Sequence, residues 1–356
     1  MARRLRTSLW TRSFAKLARA TVRAGTRAVQ KATTQGIRQA TKAAKVAAKK
    51  SAPRARKPAA SAKPTASSAG WRSGAALGAT GARRYRVYRP PGLRAPARLP
   101  LLVMLHGCHQ DAAGFARSTR LQALALRAGF MLLFPDQDRL ANAQGCWNWF
   151  DTRSGRAQAE AAMIVAAVDQ ACALHGADPA RVAVAGLSAG AGMAALLALR
   201  YPERFCAVAM HSGIAPGTAH STATALSAMQ GRRHATALPA TPDLPPLLVI
   251  QGTADHVVNR ANGRAAAELW AAAVGAMPSA PRTVQRGARH PMQVTDYRRG
   301  RATLVSLCEV EGLGHAWSGG AASQPYGDAR GPDASRLVWA FAARAFARVR
   351  QSAAKQ

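Results

Sequence analysis

The sequence predicts an α/β fold, a mostly parallel sheet with helices on both faces, and three observations carry that prediction. From Arg84 onward, strand-like apolar runs alternate with helical ones, as expected where each strand feeds a crossover helix. Leu99 to Leu105 is an apolar run with no polar alternation, the mark of a central strand buried on both faces. The stretch Arg181 to Gly192 passes from an apolar strand into a small-residue helix through Gly186-Leu187-Ser188-Ala189-Gly190, a tight turn that glycine makes possible. At 356 residues the chain is long enough for one large domain with a sizeable core.

Residues 1 to 70 stand apart from that pattern. They hold eight Lys and ten Arg with no acid, so they contribute +18 of a net charge of +34, and the first acid is Asp111. Such a block is a solvated segment or an arm for a polyanionic partner, not part of a core. Leu5, Leu9, Trp10, Phe14, Leu17 and Val22 are spaced among the charges, which predicts a weakly amphipathic basic helix or a disordered segment. The arm has no apolar run long enough for a secretory or membrane-spanning segment, and its acid-free composition also imitates an organellar transit peptide. Residues 51 to 70 read as a Pro/Ala/Lys linker, so the catalytic domain is expected over 71–350.

The remaining elements follow in order. Tyr85 to Tyr88 is an early strand, Gly114 to Arg127 one helix, and Phe130 to Phe134 a strand stopped by Pro135. Asn142 to Phe150 is an aromatic loop, and a long helix spans about Gln158 to His175. After the Ser188 turn, its helix ends near Tyr201-Pro202, and Phe205 to Met210 is a strand leading to His211-Ser212-Gly213. Residues 214 to 245 lack periodicity and read as a lid or insertion. The strand Leu247 to Gln251, a helix over 263–274, a polar stretch, the strand Ala302 to Val310 and the helix Asp333 to Arg348 complete the domain.

A serine between two glycines at a strand-to-helix turn is the nucleophile elbow of the α/β-hydrolase fold, which requires an acid and then a histidine on later loops. Asp255 follows the strand 247–251 and His315 follows the strand 302–310, each at the carboxyl end where such groups converge. Asp243, Asp296, His256 and His290 lack that setting. The three roles predict acyl transfer: Ser188 as nucleophile, His315 as base, and Asp255 fixing the imidazole. The backbone amide of Ala189 is one expected oxyanion donor and that of Cys108 the second. Trp147 and Trp149 offer an apolar platform for an aliphatic substrate, with core packing as the other reading, and Trp317 is assigned to the substrate side. No Cys-x-x-Cys or His/carboxylate spacing is present, so no metal and no cofactor is expected. Cys172, Cys206 and Cys308 read as buried thiols, while Cys108 and Cys146 lie in loops and could pair.

Taken together, Leu105-His106-Gly107-Cys108-His109-Gln110, Gly145-Cys146-Trp147-Asn148-Trp149-Phe150, Gly186 to Gly190, Gly252-Thr253-Ala254-Asp255, Gly314 to Gly320 and Gly331 to Ser335 resemble the poly(3-hydroxybutyrate) depolymerase family of esterases over residues 83–348. The resemblance implies Ser188, Asp255 and His315 as a triad and His106-Gly107-Cys108 as the oxyanion segment. It implies a polyester or its oligomers as substrate, with a feruloyl or acetyl ester as the alternative. Secreted depolymerases of this family carry a signal peptide and a polymer-binding domain; here a basic arm precedes the domain and the chain ends at Gln356. The expectation is therefore a cytoplasmic, granule-associated enzyme, without a transmembrane segment, whose arm contacts a granule surface, nucleic acid or another polyanion. A reducing cytoplasm argues against a stable Cys108–Cys146 bridge. A reading of a different class makes polyanion binding by the arm the main activity.

Overall fold

The structure, a computed structural model, describes residues 69–353 except 93–97, 234, 236 and 239–242. The expectations for the basic arm therefore lie, up to residue 68, outside the described residues.

Strand β1 (Trp71–Gly78) pairs antiparallel with β2 (Gly81–Tyr88). Next come β3 (Leu99–Leu105), α1 (Ala112–Thr119), α2 (Leu121–Ala128) and β4 (Met131–Pro135). One helix was expected over 114–127, but the chain breaks at Arg120, which adopts φ 56° and ψ 21°. Asp111 caps the first of the two helices by accepting from the Gly114 amide at 2.6 Å. The long helix α3 (Arg156–His175) leads into β5 (Ala177–Leu187), then α4 (Ala189–Arg200) and β6 (Ala207–His211).

The stretch 214–245 contains a helix, α5 (Thr222–Met229), whose N-terminus carries a reciprocal Ser221/Thr224 capping box. Strand β7 (Leu247–Gly252) and helix α6 (Ala261–Ala273) follow. The polar stretch after α6 forms β8 (Met277–Pro278), β9 (Arg282–Val284) and β10 (Met292–Arg299), and β10 makes an antiparallel pair with β11 (Ala302–Val310). A small pair, β12 (Trp317–Ser318) with β13 (Gly327–Asp328), precedes the last helix, α7 (Ala334–Ala353).

The main sheet runs β1-β2-β4-β3-β5-β6-β7-β11-β10-β8, with β9 on β10. Pairing is parallel from β4 through β3, β5, β6 and β7 to β11, and antiparallel at both margins. Side chains alternate across a strand, and here both faces are covered. Leu101, Val103, Leu105, Val182 and Val184 enter one core with Ile164, Leu197 and Trp270 of α3, α4 and α6. Leu102, Met104, Ala183, Ala185 and Leu187 enter the other with Phe115, Leu121, Phe341 and Phe346 of α1, α2 and α7. This double burial is why the central strands are apolar at consecutive positions.

Cys308 is buried as expected, whereas Cys172 and Cys206 are partly exposed. Among the described residues no helix is long and apolar enough to cross a membrane. The parallel strands β3, β5, β6, β7 and β11 deliver Gly107, Ser188, Ser212, Asp255 and His315 to the loops beyond their carboxyl ends.

Candidate active site

The elbow is built from steric necessity. A Cβ on Gly186 would strike the carbonyl of Gly190, and one on Gly190 would strike the carbonyls of Leu105 and His106 in the neighbouring strand. With glycine at both places, α4 turns back over β5 and Ser188 is held at φ 57°, ψ −119°, a sparsely populated conformation for a serine. Its amide donates to the His211 carbonyl at 2.9 Å, and its own carbonyl accepts from Ala191 and Gly192 at 3.0 and 3.2 Å.

Asp255 and His315 meet across the ends of β7 and β11. His315 Nδ1 lies 2.9 Å from Asp255 Oδ2, so the proton resides on Nδ1 and Nε2 is left as the acceptor. Asp255 Oδ1 accepts from the amides of Val257 and Val258 at 3.0 and 2.8 Å, and Oδ2 also accepts from Gln251 at 3.3 Å. Burial opposes ionisation of this carboxyl, yet the donors around it, His315 foremost, outweigh burial and hold it below the ordinary carboxylate range.

Ser188 and His315 line one cavity of about 370 Å³, together with Gly107, Cys108, Ala189, Trp147 and Trp149. Ala189 is the first residue of α4, so its amide has no partner within the helix. Among the described residues neither that amide nor the Cys108 amide finds an acceptor in the protein. The expected oxyanion set separates here. Gly107 donates its amide to Gln110 Oε1 at 3.0 Å and so is not a free donor. Gly107 adjoins the serine: a Cβ there would lie in ordinary contact with Ser188 Cβ at 3.5 Å, with Gln110 Oε1 nearer at 3.3 Å.

His106 is buried outside the cavity lining and has a different task. The Gln137 amide donates to its Nε2 at 3.1 Å, which places the ring proton on Nδ1, and Nδ1 donates to the Gly107 carbonyl at 2.9 Å. Because the peptide is planar and trans, pinning that oxygen fixes the direction of the Cys108 N–H. Burial pushes the His106 imidazole below its ordinary range and keeps it neutral for this role.

Cys108 and Cys146, which the sequence left open as a pair, are joined as a disulfide with Cα atoms 4.3 Å apart. The bridge and the hydrogen bond from the His109 amide to the Gln144 carbonyl, 2.8 Å, fasten the loop after β3 to the aromatic loop. Trp147 and Trp149 prove to be both core and cavity wall. Trp147 is fully buried and donates to the His106 carbonyl at 3.0 Å, while Trp149 packs so close to Gly192 that a Cβ there would lie 2.9 Å from its ring. Buried Glu160 anchors this loop, accepting from the Asn148 amide at 2.9 Å, the Asn148 side chain at 2.6 Å and Gln137 at 2.8 Å.

Trp317 does not reach the substrate side. Its side chain points into the sheet-side core, donating to Ser335 Oγ at 3.0 Å and packing edge-on to Phe115 and stacked on His211. The short pairing of β12 with β13 turns the residue inward. In its place the cavity takes Tyr326, which stands edge-on to His315 with ring centres 6.5 Å apart. Ile214, Ala225, Leu226, Met229 and Val258 complete an apolar wall. Ile214, Ala225, Leu226 and Met229 were not legible as site residues, because Ala and aliphatic residues in an unpatterned stretch carry no chemical signature.

Known esterases resemble this chain in sequence and in fold. A family model described as "Esterase PHB depolymerase" matches residues 83–274, more than half of the chain; His315 lies beyond the matched residues. Over 125 residues the chain is 42% identical to poly(3-hydroxyalkanoate) depolymerase C of Paucimonas lemoignei, a match covering 35% of this chain and 30% of that protein. It is 30% identical over 193 residues to feruloyl esterase B of Neurospora crassa, covering 49% of this chain and 65% of the relative. The chain thus spans less than two thirds of the length of these curated relatives. Among solved structures, the acetyl xylan esterase from Aspergillus awamori superposes with a TM-score of 0.56 at 21% identity, over 69% of this chain and 93% of that one. That likeness establishes the α/β-hydrolase fold. On the family match and the fold, this chain belongs to the esterase PHB depolymerase family.

Proposed function

We propose that the protein is a serine ester hydrolase in which Ser188, His315 and Asp255 form the catalytic triad. One observation carries this reading: a strained serine, a carboxylate-bound imidazole and two unpartnered amides share one cavity. His315 Nε2 takes the proton from Ser188 as its Oγ attacks the ester carbonyl, and Asp255 stabilises the resulting imidazolium. The tetrahedral oxyanion is received by the amides of Ala189 and Cys108. Collapse breaks the bond to the alcohol, which leaves with the proton from His315, and water repeats the sequence in reverse roles to free Ser188.

The substrate proposed is a polyhydroxyalkanoate or its oligomers. The aliphatic wall from Ile214 to Val258 and the Trp147–Trp149 loop suit a flexible aliphatic ester, and the depolymerase relative supports it. The feruloyl esterase relative keeps small carboxylic esters as the second reading. Hydrolysis of amorphous polyhydroxybutyrate granules and of 4-nitrophenyl esters by wild type and Ser188→Ala tests both. Loss of at least about 10³-fold in the variant is expected on both substrates. Full activity of the variant overturns the triad, and activity confined to aryl esters overturns the polymer reading.

The bridged Cys108–Cys146 pair supports an oxidising compartment over the cytoplasm expected from the arm. The arm, by its charge, is proposed as a tether to a polyanionic surface. Co-sedimentation with the anionic partner should weaken steeply with salt and vanish on deleting residues 1–70, with ester hydrolysis intact; binding that survives the deletion removes the arm's role.

A further inference from the structure

Tyr326 lines the cavity beside His315, and the mechanism above gives it no task. It is held at φ 59°, a left-handed conformation that a bulky residue adopts only when its surroundings enforce it. The enforcement comes from both sides. Before Tyr326, the Ala321 amide donates to the Ser118 carbonyl at 2.9 Å, Ser118 Oγ donates to the Pro325 carbonyl at 3.3 Å, and Arg117 Nε donates to Gln324 Oε1 at 3.1 Å, so α1 carries this loop. At Tyr326 the carbonyl accepts from the Trp317 amide at 2.7 Å, and Gly327 pairs with Trp317 in the β12–β13 ladder. A Cβ on Gly327 would strike the Ala321 carbonyl, so the turn closes only with glycine there. The side chain takes no part in this anchoring. Among the described residues its hydroxyl has no hydrogen-bond partner, and its ring, 37% exposed, has the edge-on approach to His315 as its one aromatic contact. Backbone strain that ring packing does not offset points to a task in contact with a ligand.

The direction of proton transfer fixes which part of an ester that ring meets. His315 delivers its proton to the leaving alcohol, so a cavity side chain standing against the imidazole borders the alcohol half. The acid-side residues that line the cavity are Val257, Val258, His315 and Tyr326. Apart from the imidazole, only the Tyr326 hydroxyl among those side chains can form a hydrogen bond. A sugar alcohol, rich in hydroxyls, would lose water contacts here without replacing them. A hydroxyacyl unit, whose alcohol carbon carries alkyl groups and leads to the next ester, matches an aromatic and aliphatic wall.

We propose that Tyr326 is a specificity-determining residue whose ring walls the alcohol half of the site and selects an alcohol that is itself a hydroxyacyl unit. The proposal rests on the polyester reading above. Its test uses the full chain and two esters with the same acyl group, methyl 3-(butanoyloxy)butanoate and ethyl butanoate, with release of butanoate measured for both. The quantity compared is the ratio of the two kcat/KM values, which does not depend on how much of a preparation is folded. Wild type should favour the hydroxyacyl ester. Tyr326→Ala should lower the ratio about tenfold, the size expected for losing one apolar contact in a pocket, and Tyr326→Phe should restore it. Tyr326→Gly, at ease at φ 59°, should lower it equally and serves as the second variant should Tyr326→Ala not fold. A ratio unchanged in the alanine or glycine variant overturns the proposal. A ratio as low with phenylalanine as with alanine also overturns it, since the ring would then not be the selecting group. A wild type without preference for the hydroxyacyl ester instead overturns the polyester reading on which the proposal rests.

Discussion

The two sides of the cavity are held in place by different means. On the nucleophile side, Ser188 and the Gly107–Cys108 segment are positioned by main chain: glycines in backbone contact, a strained serine and a pinned carbonyl. On the acid side, Asp255 and His315 sit on loops after β7 and β11 and are positioned by hydrogen bonds to each other, to Gln251 and to the amides of Val257 and Val258. Close-packed main chain has no room to adjust, whereas a hydrogen-bonded side chain can lose one partner and relax. Damage on the first side should be all or none, and on the second side graded.

The largest effect is expected at Gly190. An alanine there meets the carbonyls of Leu105 and His106, neither of which can move without shifting β3 and the Cys108 amide with it. Gly190→Ala should reduce ester hydrolysis to background, with a lowered melting temperature or failure to fold. A folded variant within tenfold of wild type in kcat/KM would erase the contrast between the two sides. Asp255→Asn comes next. It keeps the shape of the side chain but offers His315 Nδ1–H a poorer acceptor and can invert the ring tautomer, for a loss of roughly 10³ to 10⁴-fold in kcat with the melting temperature little changed. Loss of folding in this variant, rather than of rate, would place Asp255 with the rigid side.

The same contrast governs what could be read from the sequence. The elbow was legible because only glycine fits at Gly186 and Gly190, so the backbone requirement is written in residue identity. Asp255 and His315 were legible through order along the chain. The contacts around His211 were not: His211, Ser212 and Ser318 are common residues whose hydrogen bonds to one another depend on separate strands meeting. Trp317 was misplaced for a related reason, since nearness in sequence to His315 does not reveal which way a two-residue strand turns its side chain. That Gly107 has no free amide and that His106 turns its ring away from the cavity could not be read from the sequence, because the partners Gln110 and Gln137 decide both. The β10 strand was missed because Gln293, Thr295, Asp296 and the terminal arginines mask its buried Met292, Val294 and Tyr297.

The smallest expected effect lies in the response of the acid side to pH. The neutral form of His211 is the one the fold binds, so its folded-state pKa, about 3, lies below the ordinary value of 6.5. Between those values the unfolded chain binds the extra proton. Stability from this group is thus complete above about pH 6.5 and is lost as pH falls toward 3. Desolvation of His106 acts in the same direction. Asp255, whose carboxyl is held below 3.8, adds acid sensitivity only at still lower pH. From pH 7 to 5, His211 alone should remove about 2 kcal/mol, several degrees of melting temperature for a domain of this size. His211→Gln should lower the melting temperature at pH 7 yet flatten its fall toward pH 5. Melting curves of both proteins across that interval supply the check. Parallel slopes would mean that His211 is not the neutral, buried link that the Ser318 amide and the Ser212 hydroxyl require, and the graded side of the comparison would lose one of its supports.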